Sequence, residues 1–520
     1  MGGQSLRLDT GEFFRHGDRT PLETYPNDPY NAVDIYWPEG LGQLTEQQYA
    51  FGQYLLSRYT RWVGSSNISL VNISAADIPV VVCLLQVGRE QQYALGQHLR
   101  SRYSDLLPEV YSHKDLYVKS EDGDRCVMSA ECNLFALYPP LYNTSSGKNI
   151  IFQPIPIHTV PASQDPVSVE HLLWDNTSSG KNIVFQPIPI HTVPASQDPV
   201  SVEHLLWDNT SSGKNIVFQP IPIHTVPASQ DPVSAEHLLC DNNSSGKNIV
   251  FQPIPIHTVQ TSQDPIYNAW AICDRYLKGY ELIKQSAVYK CIDNVTQNVR
   301  DAVKEYAGST EFNAGIYDIL LIEDLHNLTL PNWTAKYYPE PLQAINQFYW
   351  YLGVAGTKEL QKVAIGSFLN EMVVNMVAKK NGTLSPDRKM FLYPGHDYTI
   401  SDTFLALDIY DGVRAPYASF ASIELRLKNN SHYVLITYSN STTQEPYIMK
   451  LPNCDELCPF DTFLKIVQPM LVTDFSSECA KTPGSQEDWA IPIQNLPDEW
   501  KVCFASSTKT TPNQKPDKRI

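Results

Sequence analysis

An α/β fold is expected, interrupted by a tandem-repeat insertion. Three observations carry that expectation. Phe391-Leu-Tyr-Pro-Gly-His396-Asp397 is an apolar, strand-like run ending in Gly-His-Asp, and the helix-like segment 404–412 follows it, so the region reads as strand, loop and helix. Residues 266–390 read mainly helical, with long stretches at 282–306 and 341–380, the second broken near Gly353-Val-Ala-Gly356. From 143 to about 265 the chain repeats itself with a period of 33 residues, the copies starting at Asn143, Asn176, Asn209 and Asn242.

The chemistry is concentrated in Phe13-Phe14-Arg15-His16-Gly17-Asp18-Arg19-Thr20-Pro21. Arg15 and Arg19 set two permanent forked cations around one imidazole, and such forks match phosphate oxygens two at a time. Gly17 lets the backbone approach closely or turn unusually, and Pro21 stops the segment from continuing as a strand. The pattern suggests capture of a phosphoryl group with His16 placed to attack phosphorus; a basic surface turn is the plain alternative.

Composition narrows the classes. Of 520 residues, 42% are hydrophobic and 18% charged, which is globular, and a net charge of -17 argues against a general nucleic-acid binder. The longest apolar run, 78–87, is too short for a membrane span. Ten cysteines and thirteen Asn-x-Ser/Thr sequons favour a secretory route. The first residues carry no apolar core of a signal peptide, and Leu6 breaks the myristoylation pattern, so the start of the chain is expected to be missing.

Arg-His-Gly-Asp-Arg-Thr-Pro at 15–21 resembles the active-site motif of the histidine acid phosphatases. The resemblance implies a mixed central sheet flanked by helices, with a smaller helical subdomain over the carboxyl ends of the strands, where ligands of such sheets sit. Lys119-Ser-Glu-Asp-Gly-Asp-Arg125 resembles the family segment that brings a third arginine to the phosphate; an ordinary arginine at a helix start is the other reading. His396-Asp397 is similar to the family's His-Asp pair, against the alternative of a capping Asp beside a satisfied His. By this resemblance Arg15, Arg19, Arg125 and His396 hold the phosphoryl oxygens. His16 attacks in line to give a phosphohistidine, and Asp397 protonates the leaving alcohol and then activates water. The arginines keep His16 neutral while Asp397 is protonated, which implies an acid pH optimum. No metal and no cofactor are expected, because the arginines supply the positive charge.

Along the chain, the first strand is the weakest part of the match. A buried parallel strand should be an apolar run, and Arg7, Asp9, Gly11 and Glu12 interrupt this one, predicting a poor core strand. An amphipathic helix at 46–59 (EQQYAFGQYLLSRY) recurs at 90–103 (EQQYALGQHLRSRY). The second copy leads into a family-like strand and is expected in the native place, with 46–89 extra. The 33-residue unit carries alternate prolines that suit a sheet interior poorly, and the family has one such segment, so three copies are surplus. Exon duplication, a genuine surface appendage and an error in the predicted gene remain open as explanations. The recurring His158, His191, His224 and His257 lack a close ligand pair, so a metal array is disfavoured. Without the surplus the chain would span roughly 380 residues, suited to a two-subdomain enzyme.

Cys126 and Cys132 read as buried thiols. The resemblance implies a Cys454–Cys458 loop and a bridge from Cys479 to near Cys273, and it places Phe420 and Ile322 where a third family disulfide would be. The expected organisation is a discontinuous catalytic domain at 1–142 and 266–505, with its helical subdomain at about 266–390, the repeats at 143–265 and a disordered tail at 506–520. The expected activity is hydrolysis of phosphate monoesters, with a small phosphate monoester or a phosphorylated protein as partner, no nucleic acid, no membrane span, and a homodimer as the one assembly considered. Location is expected to be secreted or lysosomal. Two other readings stay open. An inactive secreted scaffold or interaction protein is favoured by the interrupted first strand and the repeats. An inositol-phosphate phosphatase of the same superfamily is disfavoured by the lack of a strongly basic run beside the motif.

Overall fold

The computed structural model describes residues 5–37, 41, 87–139, 184–185, 217–218, 254, 256–352, 355–442, 444–484 and 489–504. The first helix copy at 46–59, the rest of 46–86, most of the repeats and the tail at 506–520 lie outside them. Ten strands are described: β1 (Leu6–Arg15), β2 (Leu116–Lys119), β3 (Val184–Phe185), β4 (Val217–Phe218), β5 (Ile256–His257), β6 (Met390–Gly395), β7 (Phe420–Lys428), β8 (Ser431–Ser439), β9 (Tyr447–Met449) and β10 (Leu457–Pro459). Eight form one mixed sheet in the order β10-β8-β7-β1-β6-β2-β5, with β9 on β8. The short strands β3 and β4 occupy equivalent positions of the second and third repeat copies and pair with each other in parallel. The edge strand β5 comes from the fourth copy, and its His257 stacks on Tyr117 of β2 at 4.6 Å.

The expectation of a poor first strand is overturned: β1 is central, parallel to β6 and antiparallel to β7. Alternation explains how it fits. Phe13 and Phe14 are both fully buried, on opposite faces of the sheet. Phe14 packs with Leu95 and Leu99 of the helix Val87–Arg102 and with Ala130 and Leu134 of the helix Asp124–Leu137. Phe13 packs with Phe368 of the helix Lys358–Lys380 and Phe404 of the helix Asp397–Ala406. Gly11 makes room for that long helix, since a Cβ there would lie 2.5 Å from Met372 Cε. The interrupting acids have partners or neighbours far along the chain, Tyr103 for Glu12 and Lys379 for Asp9. The helix Val87–Arg102 holds the second copy of the duplicated segment, packed against the sheet.

The helical part includes Asp274–Gln285, Ala287–Ala307, Ile316–Leu325 and Leu342–Gln347. The stretch at 282–306 is divided because Ser286 caps a new helix, its hydroxyl accepting from Tyr289 N at 3.1 Å. Cys454–Cys458 and Cys273–Cys479 are bridged, and a third disulfide, Cys291–Cys503, joins them. Ile322 packs with Trp37 and Tyr417 while Phe420 sits in the Phe14 cluster, so these two belong to different packing groups. Cys126 and Cys132 are buried and not disulfide-bonded.

Candidate active site

Strand register assembles the site. β1 and β6 run parallel with Arg15 opposite Gly395, so the residues that follow, His16 and His396, emerge side by side at the carboxyl end of the sheet. Their rings are 5.3 Å apart, edge to face. The backbone of His16 donates to Gly395 O at 2.9 Å and accepts from Ala418 N at 3.1 Å. Its Nδ1 lies 2.7 Å from Gly17 O. A carbonyl can only accept, so Nδ1 carries the proton and Nε2 keeps its lone pair. Gly17 touches the start of the helix Val87–Arg102, where a Cβ would fall 2.3 Å from Gly88 O, and Gln92 Nε2 of the same helix donates to Arg15 O at 2.9 Å. The loop is therefore clamped between strand end and helix start.

Three arginines surround this imidazole. Arg15 is buried, lies 3.9 Å over the Tyr417 ring and donates to Ala415 O at 2.7 Å. Its other nitrogen reaches Asp397 Oδ2 at 3.2 Å. Arg19 pairs with Asp318 at 2.5 Å, and its charge is secured by that partner despite burial. Arg125, in the first turn of the helix Asp124–Leu137, has a buried Nε with no hydrogen-bond partner among the described residues, as does Arg15. Buried unsatisfied donors of this kind are what a site shaped for an anion leaves behind. Burial, then the charges of Arg125, His396, Arg15 and Arg19, holds His16 well below the usual histidine range.

The second strand contributes the other groups. His396 precedes the helix Asp397–Ala406, with its backbone N donating to Thr399 Oγ1 at 3.2 Å and its ring stacked on Tyr398. Its Nε2 lies 3.2 Å from Glu121 Oε2. Burial pushes Glu121 up, but the hydrogen bond and charge of His396, the charge of Arg125 and the Gly123 N–H outweigh it and hold the carboxyl at about 2. Asp397 Oδ2 is shared between Arg15 and Arg414, whose Nε is at 2.8 Å. Arg414 also reaches Asp318 at 2.6 Å. The result is an alternating buried chain, Arg15–Asp397–Arg414–Asp318–Arg19.

All six residues singled out from sequence thus surround one point. Arg414, Asp318, Tyr417 and Glu121 were not singled out. Glu121 lies inside the family-like Lys119–Arg125 segment without having been picked out there, and Asp318, Arg414 and Tyr417 lie outside the motifs described from the sequence. A buried Asp18–His326 pair at 2.8 Å braces the motif loop against the helical part.

A sequence model of the histidine phosphatase superfamily (branch 2) matches residues 13–439. The chain belongs to that superfamily. It is an enzyme of phosphatase type. Rat prostatic acid phosphatase is 28% identical, with 93% of each chain covered. Human lysosomal acid phosphatase is 26% identical, over 94% of this chain and 83% of that one. Among solved structures, a Hafnia alvei phytase superposes with a TM-score of 0.47 at 12% identity, covering 92% of this chain and 99% of that one.

Proposed function

We propose that this chain is an acid phosphatase that hydrolyses phosphate monoesters through a phosphohistidine intermediate, without needing a metal. The observation that carries the reading is the His16 imidazole, with Nδ1 spent on Gly17 O and Nε2 left as a nucleophile amid three arginines. In the first step a bond forms from Nε2 to phosphorus as the bond from phosphorus to the leaving oxygen breaks. Asp397 supplies the proton that the departing alcohol needs. Water then attacks phosphorus, the P–N bond breaks, and Asp397 takes the water proton, releasing inorganic phosphate. Arg15, Arg19, Arg125 and His396 hold the three phosphoryl oxygens and offset the charge in flight. When Arg15 turns to the phosphate, the Asp397 oxygen it now holds is released toward the leaving group. The scaffold reading loses its main support, because β1 is a sound strand under His16.

The three disulfides suit an oxidising compartment, in keeping with a secreted or lysosomal location. Among the described residues no helix is long and apolar enough to cross a membrane.

The test is hydrolysis of p-nitrophenyl phosphate at pH 5 with chelator present, full chain beside His16→Ala. Activity that survives chelation and disappears in the variant is expected. Retention of activity in the variant overturns the assignment of the nucleophile, and loss on chelation overturns metal independence. The depressed His16 keeps its lone pair in acid, so activity should peak below neutrality; a maximum above pH 8 contradicts the mechanism.

A further inference from the structure

We propose that Asp28 and Glu323 form a proton-dependent latch. In acid one shared proton docks segment 22–37 onto the helix Ile316–Leu325; its loss above neutrality loosens that segment and, with it, the grip on phosphate. The loss of grip, though not the latch, rests on the function proposed above.

Both side chains are buried, and they bond to each other at the seam between the segment leaving the phosphate motif and the helical part. Asp28 Oδ1 accepts from Tyr30 N at 2.7 Å. Asp28 Oδ2 and both Glu323 oxygens receive no other donor among the described residues. Two ionised carboxylates can only accept, so their contact needs a proton on one of them.

The surroundings supply no counter-charge. Tyr25 and Tyr30 of the segment lie near both carboxyls, with Tyr36 beside Tyr30. Tyr338 is a third phenol near Glu323, its hydroxyl donating to Asp324 Oδ2 at 2.9 Å. His326 follows Glu323 by three residues, and its Nε2 is engaged with Asp18 Oδ2 at 2.8 Å. No lysine or arginine among the described residues acts on either carboxyl. Burial, then the charge and hydrogen bond of Asp28, push Glu323 up to about 9. Burial raises Asp28 as well, while the Tyr30 N–H and the Glu323 hydrogen bond pull it down. Glu323 therefore keeps the proton and Asp28 accepts it.

Other contacts across the seam are neutral. Asn27 N donates to Ala307 O at 3.0 Å and the Tyr30 hydroxyl to Thr329 O at 2.9 Å. Tyr25 packs with Ile316 and Leu320, and Trp37 with Ile322. When Glu323 gives its proton to solvent, two like charges share a buried site. A carboxyl raised when docked and ordinary when released favours docking below its ordinary value. That advantage shrinks by about tenfold per pH unit until the docked value is passed. The seam adjoins the phosphate site. The helix Ile316–Leu325 carries Asp318, partner of Arg19 and Arg414, and His326 braces Asp18. Release withdraws both supports from the motif loop.

The experiment follows amide hydrogen exchange in the full chain from pH 5 to pH 9, corrected for the intrinsic rate, with β6 as internal reference. Phosphatase kcat/KM is measured over the same range. Glu323→Gln offers Asp28 an amide donor that cannot ionise, and Asp28→Asn removes the second charge. In the full chain, protection of 22–37 should fall by about tenfold per pH unit over part of the range while β6 stays protected. In both variants that dependence should flatten, and the alkaline limb of kcat/KM should move up by about one pH unit. Protection of 22–37 that is constant with pH in the full chain overturns the latch, whether or not a variant folds. An equal fall in Glu323→Gln overturns Glu323 as the titrating group. Flattened exchange with an unmoved limb overturns the coupling to phosphate. If the full chain has no phosphatase activity, the proposed function fails while exchange still decides the latch.

Discussion

The two ends of β1 handle buried charge in opposite ways. At the entering end Asp9 and Glu12 are buried, and burial pushes each carboxyl up to about 7, against the pull of Lys379 on Asp9 and of Tyr103 and Arg102 on Glu12. Glu12 and Glu424 both meet the Tyr103 hydroxyl, which has one proton to give. A protonated Glu12 donates to the phenol oxygen and the phenol donates to Glu424, which Arg7, Arg426 and Arg102 hold below its usual range despite burial. At the leaving end the guanidinium groups of Arg15 and Arg19 are paired with Asp397 and Asp318. One end removes charge by protonation; the other preserves it with counter-charges that an incoming phosphate can replace. A strand that neutralised its arginines would have nothing to offer an anion.

The largest test of this contrast falls at the functional end. Asp397→Asn leaves Arg15 and Arg414 a neutral partner and deletes the proton donor. Because general acid–base groups contribute about 100- to 10,000-fold, kcat on an alkyl phosphate should fall within that range. The loss should be much smaller for p-nitrophenyl phosphate, whose leaving group needs little protonation. Equal losses on both substrates would show that Asp397 only positions Arg15.

The same contrast explains what could be read from the sequence. The leaving end was legible because its chemistry is local: Arg15-His16-Gly17 and Gly395-His396-Asp397 each sit where a strand ends, and parallel register does the rest. The entering end misled because its compensation is not local. Tyr103 lies 91 residues from Glu12, and Glu424 is 321 residues from Tyr103, so interrupted hydrophobicity looked like a defect. Arg414 was missed for the same reason, since its role appears only when Asp318 and Asp397 are brought together in space. The Cys291–Cys503 bridge joins residues 212 apart, and spacing gave no reason to pair them.

A second test addresses the entering end. A carboxyl whose folded value is raised to about 7 is protonated in both states at low pH and carries no penalty there. As pH rises past the ordinary glutamate value the unfolded chain ionises first, so stability falls until the folded value is passed. For Glu12 the change is on the order of 3 kcal/mol between pH 4 and pH 8, and Asp9 adds a change of the same sign. These two carboxyls therefore contribute more stability in acid than above neutrality, while the lowered His16, His257 and His396 act in the opposite sense. Glu12→Gln places an amide donor against Tyr103 and removes the titration. Urea unfolding at the two pH values should show a clearly smaller difference in the variant. An unchanged difference would mean that Glu12 is ionised in the folded protein.

The smallest effect expected is at Arg414, where the charge chain is tested without touching a phosphate-binding group. Arg414→Gln removes one of the two arginines that pair with each of Asp397 and Asp318. Both arginines then lean further toward their carboxylates, and Asp397 loses the contact that aims it. Losing the contact that aims Asp397 removes only part of what a general acid contributes, about 100- to 10,000-fold in full, so kcat should drop by a smaller factor with little change in KM. Arg414→Lys should recover only part, because one ammonium cannot grip two carboxylates as a guanidinium fork does. A positioning role further predicts that the loss, like that of Asp397→Asn, grows with the basicity of the leaving group. If the loss instead appears wholly in KM and is equal for all leaving groups, Arg414 is a phosphate ligand, and the cationic end of β1 serves four arginines rather than three.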